Sequence, residues 1–551
     1  MAFLGRVFSA DLRSLALYRV CVSLVLLYDL WVRSHDIVAH YTDQGILTRE
    51  MAMKNLHYPL SFSLHMMSGH WFVQVLLFLI AAAAGFALLF GWRTRLATFV
   101  SWFLLLSLQT RNTLLLNAGD SILVITLFWG MFMPLGARYS IDAIKHSYSR
   151  KVIPDSISSL AVAAFMLQLG CLYWFSVVLK SGPAWHKDFT AVYYALHVRE
   201  FITPTGMYLR QFEWILPFLT RVTIWTEVGA PLLLFLPFFG GRIRLFGVVA
   251  LLGMHFSFQL CLNLGLFSVI PLIALFPLLP TVFWEMLERC WMLVKGFFLF
   301  AFLQTLVHGV SSLMTALFAP QSDREHRSFS LRQSLFSKVL VVCAFVVVFW
   351  ANVASIKPSY TMPEWMESLH YALLLDQEWV MFAPEPSKYD SWYAIPGELA
   401  DHSHIDVFKV HNNIPNPTKV NWDGYKHLSM RIRNYRWSNY YIRLFDYDEP
   451  KNLKVYWPRY IRYMCGQWNS NAPEQKQLIA IGVFMLTSLT KLNGTSELIE
   501  NKRAWLGRCP DGQVIKEETD GKEKTAPTTK PASSKPTTKS ASSKPATKSA
   551  H

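Results

Sequence analysis

Nine stretches of mostly apolar residues follow one another through the first 356 positions, and they limit the fold more than any other feature. They run near Leu12–Val32, Trp71–Phe90, Leu96–Leu108, Ser121–Leu135, Ile157–Lys180, Trp214–Phe239, Leu245–Leu262, Leu266–Pro280 and Val339–Ile356. A helix that crosses a bilayer needs about 20 such residues. The third and eighth stretches are short, which suits tilted or partly buried helices. Of 551 residues, 52% are hydrophobic and 16% charged, against about 25% charged in soluble domains. The expectation is a polytopic α-helical membrane protein of about nine spans, then a small mixed α+β extramembrane domain and a disordered tail. The boundaries fall at 1–356, 357–518 and 519–551.

Phe297–Phe318 is long enough to cross, but Gln304, His308 and several Ser/Thr also suit a helix lying flat at the interface. The loop charges favour the second option. Arg93, Arg95, Arg138, Lys145, Arg150, Lys151, Arg242 and Arg244 alternate onto one side. If Phe297–Phe318 does not cross, the basic cluster Arg324–Lys338 joins them, as cytoplasmic loops require. That places the N-terminus in the cytoplasm and everything after Ile356 outside. The first stretch carries Arg19 and Asp29 and lacks a small-residue cleavage site, so it reads as a span rather than a leader.

Net charge is +15, and the stretch after Gly521 contributes seven Lys against one Glu. The remaining charge is what loop bias produces, and no nucleic-acid partner is needed to explain it. From Lys357 to about Glu518 the chain turns polar and aromatic. DSWYAIPGELADHSHIDVFKV alternates on either side of Ala400–Ser403, the pattern of a β-hairpin. Leu478–Thr490 reads as a strand or a short buried helix. Tyr456–Asn469 carries Arg, Tyr and Trp on a helical period, as a helix packed on the membrane face would. The Lys/Pro/Ser/Thr/Ala tail lacks the apolar content to fold.

Five cysteines lie in or beside apolar runs, whereas Cys465 and Cys509 lie in the polar region, where an oxidising compartment would allow them to pair. H-E-x-x-H, H-x-x-x-H and C-x-x-C spacings are missing, so neither a metal nor a redox dithiol is expected. P-loop, dinucleotide-binding and nucleophile-elbow patterns are missing too. No internal repeat supports a transporter built from two halves.

Ionisable residues inside apolar runs are costly and need partners or a water-filled cavity. Arg19 and Asp29 are ten residues apart on nearly one helix face, and the expectation is that they pair within the bundle. Asp120 opens the fourth stretch, Glu227 lies in the sixth beside the small residues Gly229 and Ala230, and His255 lies in the seventh. His255 also suits a core histidine bonded to a carbonyl. Lys180 ends the aromatic run FMLQLGCLYWFSVVLK, and Gly182, Pro183 and Trp185 follow it. Two readings stay open for Lys180. It is either an interfacial anchor beside its tryptophan or a partly desolvated amine able to act as a base.

These segments also resemble a family. LALYRVCVSLVLLYDLWVR, AHYTDQGILTRE, GWRTRLA, NAGDSIL, PLGARYSID, YWFSVVLKSGPAW, TEVGAPLLLF and HFSFQLCLNLGLFS occur in that order over about 340 residues. Together they resemble the transmembrane domain of the vitamin K-dependent gamma-carboxylases and their bacterial relatives, the horizontally transferred transmembrane domain proteins. MFAPEPSKYDSWY is similar to the bacterial branch. The resemblance implies a quinol-dependent carboxylase or oxygenase, a carbon–carbon lyase, with vitamin K hydroquinone or another quinol as cofactor. It also implies a Glu-containing peptide or protein substrate in a multi-pass cell-membrane protein surrounded by lipid. Lys180 would be the base, Glu227 and His255 its polar neighbours and Trp185 the wall of its mouth. The carboxylases carry an Asn-His pair where this chain has Asn117, Ala118, Gly119 and Asp120, so Asn117 and Asp120 become the candidate cofactor contacts there. That departure leaves a second implication: a non-catalytic lipid- or quinone-binding protein whose outer domain recruits a partner.

Overall fold

The structure is a computed structural model that describes residues 2–54, 56, 60–146, 154–236, 241–294, 309, 312, 333–357, 359–375, 379–425, 427–428, 430–446 and 450–509. Phe297–Phe318 apart from Gly309 and Ser312, all but the end of the Arg324–Lys338 cluster, and the 519–551 tail lie outside the described residues. Eight of the main helices follow apolar runs, and α8 lies between two of them: α1 (Leu12–Ser34), α2 (Trp71–Phe90), α3 (Thr94–Arg111), α4 (Ala118–Gly130), α5 (Leu160–Leu179), α6 (Leu216–Leu234), α7 (Arg242–Cys261), α8 (Thr281–Val294) and α9 (Leu335–Ile356). Five of these, α1, α2, α5, α7 and α9, are long and apolar enough to cross a membrane. A sixth crossing is added if Gly265–Leu278 and Thr281–Met292, bent by 95° where they meet, count as one.

Three of the four remaining runs fall short for identifiable reasons. α4 has 13 residues, about 20 Å of helix against a hydrocarbon core of about 30 Å. α3 carries Arg95, Gln109 and Arg111. The eighth run contains Pro271, Pro277 and Pro280, and it breaks into short turns rather than one rod.

Arg19 and Asp29 do not pair with each other, contrary to the sequence reading. Ten residues of helix separate them by about 15 Å along the axis, beyond the reach of the two side chains. Arg19 instead donates to the carbonyls of Leu135 (3.0 Å), Arg138 (3.2 Å) and Tyr139 (2.5 Å), tying α1 to the loop after α4. Asp29 belongs to a separate cluster of four buried charges. Its Oδ2 accepts from Arg33 Nε at 2.8 Å, and its Oδ1 from Arg436 Nη2 at 2.5 Å and the Tyr435 hydroxyl at 2.5 Å. Arg33 Nη2 reaches Asp120 at 2.8 Å, and Arg436 Nη1 closes the ring to Asp120 at 2.7 Å.

Arg436 comes from the domain that follows α9, named the outer domain below after the sequence expectation, on α10 (Tyr435–Asp446), which is followed by α11 (Pro450–Asn469). Five antiparallel strands complete that domain: β1 (Tyr389–Ala394), β2 (Pro396–Leu399), β3 (His404–Asp406), β4 (Leu478–Thr490) and β5 (Ser496–Arg508). β2 and β3 form the hairpin expected around Ala400–Ser403. The strand pattern ends sooner than the sequence suggests, because Val407–His411 turns into a short helix capped by Asp406, whose carboxylate accepts from Lys409 N at 3.1 Å. β4 is the central strand, pairing with β1 and β2 along one edge and with β5 along the other.

α11 differs from the surface helix expected at Tyr456–Asn469. Trp457, Tyr460, Ile461 and Cys465 are fully buried, and the helix packs on β4 and β5. Its aromatic period faces the sheet, which a one-sided membrane reading does not distinguish from facing lipid. A disulfide joins Cys465 to Cys509, with Cα atoms 5.8 Å apart. From the other side of α11, Arg459 donates to the carbonyls of Asp43 and Gly45 in the loop after α1. Residues of the outer domain and of the helical bundle share one hydrophobic core.

Removing one member of a buried charge cluster leaves its partners uncompensated, which costs about 3–5 kcal/mol. Arg436→Met should therefore lower the thermal unfolding midpoint of the detergent-solubilised protein sharply. Arg459→Met, which removes bonds to two carbonyls but unpairs no carboxylate, should shift it far less.

Candidate functional site

α5 carries Tyr173, Ser176 and Lys180 at i, i+3 and i+7, so all three share one face. Lys180 is the residue that ends the helix. Gly182 and Pro183 then start a single turn, Pro183–His186, with proline at a position where its missing N–H costs nothing. The Lys180 side chain leans back toward the helix N-terminus, and Nζ lies 2.8 Å from Ser176 Oγ. From α6, Glu227 meets it with both oxygens, at 2.8 and 2.6 Å. Lys180 is 4% exposed and Glu227 5%. The Trp185 ring completes the shell, its centroid 5.3 Å from Nζ.

The pair borders a cavity of about 540 Å³ enclosed by α5, α6, α7 and the segment after Pro183. Its walls are apolar, with Leu172, Leu196, Leu219, Met254, Phe258 and Phe267 among them. His255 adds a second polar point: one ring nitrogen lies 2.8 Å from the Tyr173 hydroxyl, while Nδ1 has no protein partner. The outer domain supplies the lid. Phe382 and Met381 line the cavity, Trp185 Nε1 donates to the Phe382 carbonyl at 2.9 Å, and Gly182 N donates to the Pro384 carbonyl at 2.9 Å. The MFAPEPS stretch therefore lies over the mouth that Trp185 shapes.

The structure brings Lys180, Glu227, His255 and Trp185 to one cavity and leaves Asn117 and Asp120 off its lining. Asn117 caps α4, its side chain accepting from Gly119 N at 2.9 Å, and Asp120 answers by accepting from Asn117 N at 2.9 Å. The Asp120 carboxylate also belongs to the Arg33–Arg436 cluster, so it is committed elsewhere. Of that stretch only Ala118 touches the cavity. Gly119 lies so close to Phe267 that an added Cβ would come within 2.8 Å of its backbone. Two site residues, Tyr173 and Ser176, were legible as the helical neighbours of Lys180. Phe382 and Met381, which follow Lys180 by about 200 residues, carried no such signal.

The chemistry follows from the hydrogen bonds. The Lys180 ammonium has three acceptor oxygens around it, one on Ser176 and two on Glu227, and in this protonated form its nitrogen has no lone pair to offer. For a hydroxyl placed in the cavity the geometry offers two acceptors in sequence: Glu227 directly, or Lys180 once Lys180 has passed a proton to Glu227. Both routes keep the proton within a dry pair. Among the described residues, no group of three or more His, Cys, Asp or Glu is placed to hold a metal.

The roof of the cavity is fixed from outside. Val192, Ala195 and Leu196 line it. The hydroxyl of Tyr193 donates to the Lys491 carbonyl at 2.8 Å and accepts from Gly494 N at 2.9 Å. A little further on, Arg199 pairs with Asp390 at 2.9 Å. Burial pushes the Asp390 carboxyl up to about 6, against the opposing pull of Arg199.

The fold and site define a helical bundle, with five helices long and apolar enough to cross a membrane, and one ion pair facing an apolar cavity under a lid from the C-terminal domain. Comparison with family models, with curated proteins and with solved structures found no match to this chain.

Breaking the buried pair from one side should cost about 3–5 kcal/mol, whereas replacing both members with apolar residues is close to neutral. Glu227→Met should destabilise strongly, and Lys180→Met combined with Glu227→Met should recover most of the loss in thermal unfolding. The pH effect has a definite sign. An acid whose folded value is raised binds its proton more tightly when folded, so stability is greatest below the unfolded value near 4 and is lost as pH rises through about 6. The loss is on the order of 2–3 kcal/mol, and unfolding midpoints between pH 4 and 7 should show it in the wild type but not in Asp390→Asn.

Proposed function

We propose that this chain is a distant relative of the vitamin K-dependent gamma-carboxylases, a membrane enzyme that ionises a lipid-soluble quinol in the cavity beside Lys180 and Glu227. The observation that carries the reading is a single acid–base pair facing an otherwise apolar cavity. Its volume, about 540 Å³, falls within the range of about 300–1,000 Å³ typical of small-molecule sites. Apolar walls suit a quinol ring, and the polar points at Lys180–Glu227 and at Tyr173–His255 suit ring oxygens. A bound quinol would supply a dissociable hydroxyl and the electrons that reduce dioxygen, ending as epoxide and water while a glutamate γ-hydrogen is exchanged for carbon dioxide.

The protein's own part is limited and definite. Glu227 holds the ammonium of Lys180 in place, and Ser176 gives it a third acceptor. Trp185 and Phe382 keep water from the pair, which strengthens every electrostatic contact inside. The pair accepts the proton of the hydroxyl, and Tyr173 with His255 orients the other end of the ring. About nine spans, an N-terminus in the cytoplasm and an outer domain beyond the membrane complete the proposal. The Cys465–Cys509 disulfide supports that orientation, since such bonds persist in oxidising compartments, and there the lid domain would meet a Glu-containing substrate.

One observation favours a second reading, a non-catalytic quinone- or lipid-binding protein. Three acceptor oxygens already surround the ammonium, and Asp120 replaces the expected partner of the base while serving the charge cluster. Turnover separates the two. Purified protein in nanodiscs, supplied with a naphthoquinol and dioxygen, should form epoxide, and Lys180→Ala should lower the rate by about 10²–10⁴-fold. An unchanged rate in Lys180→Ala removes the base. Ligand retained by the wild type without any turnover establishes the second reading.

A further inference from the structure

α6 and α7 present the cavity with two facing rows of residues. Ile215, which precedes α6, starts a row that continues through Leu219, Val222 and Thr226, and α7 contributes Ala250, Gly253, Ser257 and Cys261. Each row recurs at three or four residues and covers about 16 Å of helix axis. The α7 row is made of small side chains, so the two helices leave a slot between them. Among the described residues that line the cavity, only Gly253 and Ser257 are exposed. The cavity therefore opens sideways, between the two helices.

The surface around this mouth is apolar: Phe218, Trp225, Val249 and Phe256 all stand exposed beside it. α7 is long and apolar enough to cross a membrane, so a mouth midway along it faces acyl chains rather than water. At the inner end are Lys180, Glu227 and His255, the last 3% exposed with Nδ1 unpartnered. One end of the cavity is polar and dry, and the other is apolar and open. We infer that the occupant is a single-chain amphipathic lipid with a small polar ring, which slides in from the bilayer and leaves its chain in the α6–α7 slot. The inference rests on the reading of the Lys180 end as the head-group contact, and it adds that Gly253 sets which chains are accepted.

Gly253 is a favourable place for a test, because nothing lies within 4 Å of a Cβ added there. Gly253→Ala therefore meets no neighbour and leaves the mouth open, and Gly253→Leu extends from that open position to fill it. The probes are 2-methyl-1,4-naphthoquinone and the same ring bearing a long isoprenoid chain, offered to protein in phosphatidylcholine nanodiscs and read by native mass spectrometry. Gly253→Leu should weaken retention of the long-chain probe by about tenfold or more, through lost chain contacts, while the bare ring binds as in the wild type. Gly253→Ala should match the wild type with both probes. Equal loss of both probes, or undiminished binding of the long chain, overturns the inference.

A third probe separates this result from the fate of the quinol reading. A fatty acid with a photoreactive diazirine at its chain end should crosslink the wild type at the peptides around Thr226 and Ser257, and Gly253→Leu should abolish those crosslinks. If neither quinone binds the wild type, the quinol reading falls, and the crosslinks decide the slot alone. Crosslinks confined to other helices would overturn it.

Discussion

Four charges in the interior, Asp29, Arg33, Asp120 and Arg436, hold the two halves of the molecule together. Isolated charges at this depth cost several kcal/mol each, yet two acids and two bases in a closed ring cancel and satisfy one another's hydrogen bonds. The ring joins α1, α4 and α10, that is, the first span, the short helix that does not span and the outer domain. Because it positions α4, it also sets the close approach of Gly119 to Phe267, which forms one wall of the cavity. The site therefore depends on a cluster that does not touch it.

A second buried pair, Lys180 with Glu227, has a different setting. The first cluster is packed on all sides, whereas this pair borders empty space. A charge pair with a cavity on one side keeps a place where a third polar group can join. The lid formed by Phe382 and Trp185 excludes solvent, and the segment Val192–Leu196 is held by the β4–β5 turn through Tyr193. Outer domain and bundle thus build the site jointly, and neither would form it alone.

Much of this was legible from sequence, and the failures have physical causes. The apolar runs mark every named helix of the bundle except α8, because lipid-compatible composition needs no tertiary information. Their number as crossings was less legible, since Pro271 and Pro277 break one run and α4 is too short for the role. Lys180 and Glu227 stood out because charge inside an apolar run is rare, and their meeting follows from adjacent helices. Asp120 stands out for the same reason, but the sequence names no partner for it. Its true partners are Arg33, visible four residues after Asp29, and Arg436, which lies beyond a change of composition and offered no local signal. The aromatic period of α11 marked a buried face correctly but said nothing of what would bury it.

The charge ring also has a consequence for the order in which the chain is made. Asp29 and Arg436 are separated by 407 positions, so a ribosome working at about 5–20 residues per second finishes the second roughly 20–80 s after the first. During that interval Asp29 and Asp120 have one guanidinium between them, that of Arg33. The nascent bundle carries an excess negative charge where its own packing would bury it. Closure of the helices around that point must wait, or remain reversible, until the outer domain has emerged and delivered its arginine. A domain synthesised long after the first span is the one that licenses it to settle.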